Sequence, residues 1–92
     1  MTPHKLALYK RNRLILAKWR RRMLAGAGAM DTLTDLSEEH GLHWAHISGI
    51  VYGRKTGYTP HKDYDDDGNE IGPTDYEALD RWYEEEVLAE SA

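Results

Sequence analysis

Three histidines in the middle of this 92-residue chain have a spacing that could hold a metal ion. His40, His43 and His46 are three residues apart, and neutral imidazoles are good metal ligands. Only His43 and His46 share a predicted helix, however, and no carboxylate or thiolate lies at helical spacing to complete that face. Ordinary polar histidines are therefore the better interpretation, and we expect no metal site here.

A run of aspartates later in the chain offers a second kind of ligand chemistry. From Asp63 to Gly68 the sequence resembles the opening of a calcium loop, with carboxylates at positions one, three and five and glycine at six. Glu70 would stand at position eight, where an apolar residue is expected, and Thr74 at position twelve, where a bidentate Glu is needed. These two misfits favour a hydrated hairpin tip over a calcium site.

Basic side chains are concentrated at the start of the chain, and they could bind phosphates. Residues 1–30 carry eight Lys and Arg without an acid, whereas residues 63–92 hold twelve acids against one Arg, so the net charge of -4 hides a strong segregation. Arg20, Arg21 and Arg22 could neutralise phosphates, which makes affinity fall with salt. Alternatively, these arginines form a solvated helix face, or they pair with the acidic C-terminal part of the same chain.

Several classes of function are disfavoured by composition. The carboxylates and histidines form no ordered set of nucleophile, base and orienting group. The absence of Cys excludes disulfides and thiolate chemistry, and suits a reducing cytoplasm. The longest apolar run, residues 14–17, is far shorter than the roughly 20 residues that span a bilayer. We expect a single-domain cytoplasmic protein that is not an enzyme, with no catalytic residues, no cofactor and no membrane partner.

The basic side chains belong to a predicted first helix over residues 4–25. Its apolar residues recur at spacings of seven, four and four and so fall on one stripe, which consists of Leu8, Ile15, Trp19 and Met23. The Gly-Ala-Gly-Ala sequence at residues 26–29 ends the helix, because glycine adopts left-handed backbone angles at little cost. We expect Trp19, and Trp82 near the other end of the chain, to be core or dimer-contact residues.

Two further helices are predicted at residues 31–40 and 43–52, on either side of a turn at Gly41. A steep pair of helices needs a small residue at the close approach, a glycine in the turn and apolar residues facing inward. Ser37 and Gly41 meet the first two needs. The inward positions are occupied by Leu36, Leu42, Ile47 and Ile50.

The segment EHGLHWAHISGIVYGRKTGY, residues 39–58, resembles the helix-turn-helix of many bacterial and bacteriophage DNA-binding proteins. Their pattern is a polar first helix, Gly-Val-Ser, three variable residues, Ile-Ser, and an Ile-x-x-Gly-Lys ending that often precedes an aromatic residue. The resemblance covers about residues 33–58 and is specific for the motif, not for one family. It implies that the second helix of the pair enters the major groove of DNA.

The resemblance also implies roles for particular residues. Base edges would be contacted by His43, Trp44, Ser48 and Tyr52, and phosphates by Arg54 and Lys55. Two positions depart from the pattern: Gly49 stands where a base-contacting polar residue is common, and Trp44 is bulky where the residue is usually polar. Bidentate recognition of guanine by an Arg inside this helix is therefore impossible.

The C-terminal third is predicted to form a loop or hairpin over residues 58–72 and an amphipathic helix over residues 74–89. An Asp-Gly pair between two short candidate strands indicates the hairpin, and Pro60 would make its first strand irregular or an edge strand. Thr74 and Glu77 form a predicted capping box. The apolar stripe of the helix is Tyr76, Leu79, Tyr83 and Val87, and its exposed acids are Glu84, Glu85, Glu86 and Glu90.

These patterns predict a small, mainly α-helical domain that binds double-stranded DNA as a bacterial or phage transcriptional regulator or accessory factor. A homodimer would place two copies on two half-sites. The alternative is a protein-interaction or assembly module, such as a virion or host-targeting component. In that case the acidic C-terminal helix contacts a protein partner and the helix-turn-helix is only a scaffold.

Overall fold

A computed structural model of the chain describes residues 2–52 and 61–91. Within these ranges the fold is mainly helical and carries one two-stranded hairpin, as the sequence predicted. The last helix changes its hydrogen-bond pattern along its length, so it is divided here into α4, a π segment and α5. In chain order the elements are α1 Pro3–Leu24, α2 Ala29–His40, α3 Trp44–Tyr52, β1 Lys62–Tyr64, β2 Glu70–Pro73, α4 Tyr76–Trp82, the π segment Tyr83–Leu88 and α5 Ala89–Ser91.

Helix α1 begins and ends where local chemistry dictates. The Thr2 side chain accepts a hydrogen bond from the Lys5 amide at 3.2 Å, and Pro3 occupies the first helical turn, where its missing N–H costs nothing. The chain leaves the helix at Gly26, whose φ of +89° is in the left-handed region. The predicted apolar stripe is confirmed most strongly at Ile15 and Trp19, which are buried. No described helix is both long and apolar enough to cross a bilayer.

The helices α2 and α3 form the predicted pair around Gly41. Gly41 adopts a φ of +64°, and the hydroxyl of Ser37 donates to the carbonyl of Leu42, which closes the turn. Leu36 and Ile47 are fully buried where the two helices meet α1. Helix α2 begins two residues before its predicted start, and α3 begins one residue after its own predicted start.

A hairpin follows α3 and lies against the N-terminal half of α1. Strands β1 and β2 are antiparallel, with Asp63 opposite Gly72 and an irregularity between Asp63 and Tyr64. The turn is closed by Asp65, whose Oδ1 accepts from the Asp67 and Asn69 amides at 3.0 and 2.8 Å, and by Gly68 at a φ of +86°. The predicted hairpin is therefore confirmed, while Pro60 lies outside the described residues.

The predicted capping box at the start of the last helix is wrong. The cap is Asp75, whose Oδ1 accepts from the Ala78 amide at 3.1 Å. Thr74 is bound to the hairpin region instead: its hydroxyl donates to Asp63 Oδ1 at 3.0 Å and its amide donates to the His61 carbonyl at 2.9 Å. A contact with the hairpin therefore moves the start of the helix along the chain to Tyr76.

One core joins these elements. Helix α1 packs against α2, α3, α4 and the π segment, so its apolar stripe is shared by both halves of the chain. The predicted stripe of the last helix is confirmed, since Leu79 and Tyr83 are buried and Tyr76 and Val87 are half-buried. The buried apolar residues are Ile15, Leu16, Ala17, Trp19, Leu33, Leu36, Ile47, Val51, Leu79 and Tyr83.

Candidate nucleic-acid interface

Helix α3 presents one face to the core and the opposite face to solvent. Its inner face is fixed by Ile47 and Val51, which are 0% and 5% exposed. At about 100° per residue, Ala45 and Gly49 lie opposite these two side chains and therefore at the centre of the outer face. Trp44 and Tyr52 are 47% and 51% exposed along one side of that face. Gly49 was predicted on this outer face, whereas Ala45 was not named, although the period of the helix places it there as well.

Three of the four side chains predicted to contact base edges lie in one row on α3, and the fourth, His43, precedes the helix. Trp44, Ser48 and Tyr52 follow one another at intervals of four residues, so they share one side of α3. Tyr52 packs edge-on against Trp19 of α1, with ring centroids 5.1 Å apart. Because Trp19 is buried, this contact fixes the Tyr52 ring to the core while half of its surface stays exposed.

His43 lies immediately before α3 and helps to start it. Its Nδ1 accepts a hydrogen bond from the Ala45 amide at 3.1 Å, which satisfies one of the free amides of the first helical turn. Nε2 is then the ring nitrogen that carries the proton in the neutral side chain. The His43 ring also lies 5.4 Å from the Trp44 ring, so the two exposed rings support each other.

The predicted phosphate-binding residues Arg54 and Lys55 lie outside the described residues. The chain reaches them directly after α3, since Tyr52 is the last residue of that helix. Their role at phosphates stays a prediction.

The three arginines of α1 that were predicted to bind phosphates are engaged by acidic side chains of the same molecule. Arg20 forms a two-pronged contact with Asp80 of α4, from Nε to Oδ1 at 3.1 Å and from Nη2 to Oδ2 at 3.0 Å. The Arg20 guanidinium also lies 4.4 Å above the Tyr76 ring. The hydrogen bonds that Arg20 donates to Asp80 raise the pKa of Arg20, since they favour the charged form.

Arg21 and Arg22 point to two different acidic partners. Arg21 Nη1 lies 2.8 Å from Glu84 Oε1 at an exposed site, and Arg22 Nη2 lies 2.6 Å from Glu39 Oε1. Two of the three arginines therefore pair with the acidic C-terminal helix and one with α2. Arg20 and Arg21 thus pair as in the alternative interpretation, in which the arginines are partners for the acidic C-terminal part of the same chain. Their contact with phosphates remains a prediction.

A cluster of charges lies where α1 crosses the end of α2. Lys18 Nζ is 3.3 Å from Glu39 Oε2 and 3.3 Å from His40 Nε2. Desolvation alone would raise the pKa of Glu39, but the hydrogen bonds from Arg22 and Lys18 outweigh it and hold that pKa below its ordinary value. Desolvation and the nearby Lys18 ammonium both lower the pKa of His40. The cluster therefore favours an ionised Glu39 and a neutral His40.

Asp63 is occupied by contacts that attach the hairpin to α1. Its Oδ1 accepts from Arg13 at 3.0 Å, from the Thr74 hydroxyl at 3.0 Å and from the Tyr9 hydroxyl at 3.4 Å. Asp65 is used in the hairpin turn. In residues 2–52 and 61–91, no three His, Asp or Glu side chains are grouped as a metal site would require.

His61 connects α3 to the last helix and was not among the predicted site residues. Its Nε2 is 3.0 Å from the Ile50 carbonyl of α3, and its Nδ1 is 2.7 Å from the Tyr76 hydroxyl. A carbonyl only accepts, so Nε2 donates to Ile50. Nothing in the local sequence signals this contact, because its partners are eleven and fifteen residues away.

Comparisons with protein-family models, with curated proteins and with solved structures found no match to this chain.

Proposed function

We propose that this chain binds double-stranded DNA by inserting α3 into the major groove. The observation that supports the proposal is the division of α3 into a buried face and an exposed face directly after the Gly41 turn. Helix α1 packs against both helices of the pair, as expected where a helix-turn-helix is held by a third helix. The outer face of α3 is then the part of the molecule available to base edges.

In the proposed complex, different residues contact the bases and the phosphates. His43, Trp44, Ser48 and Tyr52 approach the bases, while Arg54 and Lys55 neutralise phosphates beside the end of α3. Arg20, Arg21 and Arg22 mainly hold the fold together, because they are already paired with carboxylates. The biological role that fits is a regulator or accessory DNA-binding factor of a bacterium or phage, and two copies on two half-sites would strengthen the binding.

A titration of duplex DNA with paired charge variants tests the proposal. Arg54→Gln with Lys55→Gln should weaken binding and reduce the slope of log affinity against log salt by roughly two, since about 0.9 is lost per phosphate contact. Lys5→Gln with Lys10→Gln removes the same charge from exposed positions of α1 and should change binding much less. The proposal is wrong if the parent protein binds no duplex at about 50 mM salt, where phosphate-driven binding is strong.

A second candidate function is protein binding by the acidic C-terminal helix. The π segment favours it, because π-helical turns in longer helices frequently occur at functional sites, and this one carries three exposed glutamates. A pull-down of a basic protein that depends on Glu85 and Glu86, together with no affinity for DNA, would select this candidate.

A further inference from the structure

We infer, on the basis of the proposed DNA-binding function, that α3 recognises thymine through its 5-methyl group, so the target is rich in A·T pairs. In the major groove, guanine is usually recognised by a bidentate Arg or Lys, whereas the thymine methyl is recognised by apolar contact. The sequence of α3 is WAHISGIVY, which contains neither Arg nor Lys and no acidic residue. The chemistry of this helix therefore fits methyl groups better than the acceptor atoms of guanine.

The shape of the outer face supports the same base preference. Gly49 has no side chain, and among the described residues no atom beyond its chain neighbours and the adjoining helix backbone lies within 4 Å of the position a Cβ would take. Because Ala45 beside it is also small, no long side chain projects from the centre of the outer face, and the helix backbone can come close to the floor of the major groove. Trp44 and Tyr52 are eight residues apart, or about 12 Å along the helix, which matches three to four base-pair steps of about 3.4 Å.

The exposed rings of Trp44 and Tyr52 are held in place before any DNA binds. Trp19 supports Tyr52 at 5.1 Å, and His43 lies 5.4 Å from Trp44. Side chains that are already ordered lose less entropy on binding, so an apolar contact to a methyl keeps more of its favourable free energy. Exposed, ordered and uncharged rings on the outer face of α3 together define the thymine-contacting surface.

The test compares thymine with uracil, which lacks only the 5-methyl group. Full-length protein is titrated with an alternating A·T duplex of about two helical turns, with the same duplex in which every thymine is replaced by uracil, and with an alternating G·C duplex. Burial of one methyl should strengthen binding about fourfold. We therefore expect at least this ratio between the A·T and A·U duplexes, and weaker binding to the G·C duplex.

Four variants assign the preference to α3. Trp44→Gln should lower the A·T to A·U ratio, and Trp44→Gln combined with Tyr52→Gln should bring it close to one. Met30→Ala removes another exposed apolar side chain, 59% exposed in α2, and should keep the ratio of the parent protein. Gly49→Leu enters open space in the free protein, so it should fold normally but block approach to every duplex.

The outcomes separate this inference from the function it rests on. Equal affinity for the A·T and A·U duplexes would overturn thymine recognition while leaving DNA binding in place. A ratio unchanged in the Trp44 and Tyr52 double variant would also overturn it, because another surface would then carry the preference. Absence of binding to any duplex at low salt would overturn both proposals.

Discussion

At the scale of single residues, the most informative side chains are Asp63 and His61, because they form hydrogen bonds with residues far away in the sequence. Asp63 attaches the hairpin to α1, and His61 attaches the end of α3 to Tyr76. Neither residue is fully buried. Asp63 hydrogen-bonds to α1 and to Thr74 and so holds the hairpin in place, whereas His61 hydrogen-bonds to both α3 and α4 and so helps to fix the position of α3.

His40 should make the stability of the fold depend on pH. Desolvation and Lys18 lower its pKa in the folded protein, so the unfolded chain binds a proton more readily. The contribution of neutral His40 to the stability of the fold is therefore complete above the pKa of the unfolded chain, about 6.5. This contribution is lost as pH falls through the lower pKa of the folded protein. We expect the free energy of unfolding to fall between about pH 7 and pH 5.

Urea denaturation followed by circular dichroism across this pH range measures the effect. His40→Asn should flatten the profile, because the titrating group is gone. Lys18→Gln should flatten it partly, because the histidine remains but the nearby ammonium does not. Identical profiles in the parent and His40→Asn proteins would show that other groups control the acid sensitivity.

At the scale of elements, the attachment of α4 to α1 depends on stacked arginines. Arg20 joins Asp80 with two hydrogen bonds while lying over Tyr76, and the Arg13 guanidinium lies 5.2 Å from the Trp82 ring. Arg13 and Arg20 are seven residues apart and so lie on one face of α1. That face holds the last helix against the core.

Asp80→Asn should lower the free energy of unfolding by about 1 kcal/mol, the upper end for a partly exposed pair. The Asp80 and Arg20 side chains are 34% and 28% exposed, so solvent screens the pair only in part. Glu84→Gln is the matched control, since its pair with Arg21 is 61% and 50% exposed and should contribute less. Equal losses in the two variants would show that the two-pronged geometry of Arg20 adds nothing.

The elements were predictable from sequence where a local pattern determines them. Apolar periodicity predicted the helices, Gly41 predicted the turn, and an Asp-Gly pair predicted the hairpin. The capping box failed because a hydroxyl that can cap a helix can equally bond Asp63, and sequence spacing does not decide between them. The π segment also has no periodic signature. Segregated charge suggested that α1 and the last helix attract each other, but Arg20 and Asp80 are 60 residues apart, so only the fold pairs them.

At the scale of the whole molecule, a basic helix and an acidic helix lie side by side in a chain that is proposed to bind a polyanion. The acidic helix neutralises two arginines of α1, yet Glu85, Glu86 and Glu90 remain exposed. Their charge should lower the affinity for DNA through repulsion across solvent. Removing the helix would not test this, because Leu79 and Tyr83 belong to the core.

Glu85→Gln with Glu86→Gln removes charge and keeps the core. We expect tighter binding to duplex DNA than the parent protein shows at about 50 mM salt, and little difference near 1 M, where the screening length is only about 3 Å. The same duplex titration measures both conditions. An unchanged affinity at low salt would mean that the acidic helix points away from bound DNA. An increase that persists at high salt would instead mean that these two side chains alter the shape of the binding face, because screened charges no longer act over that distance.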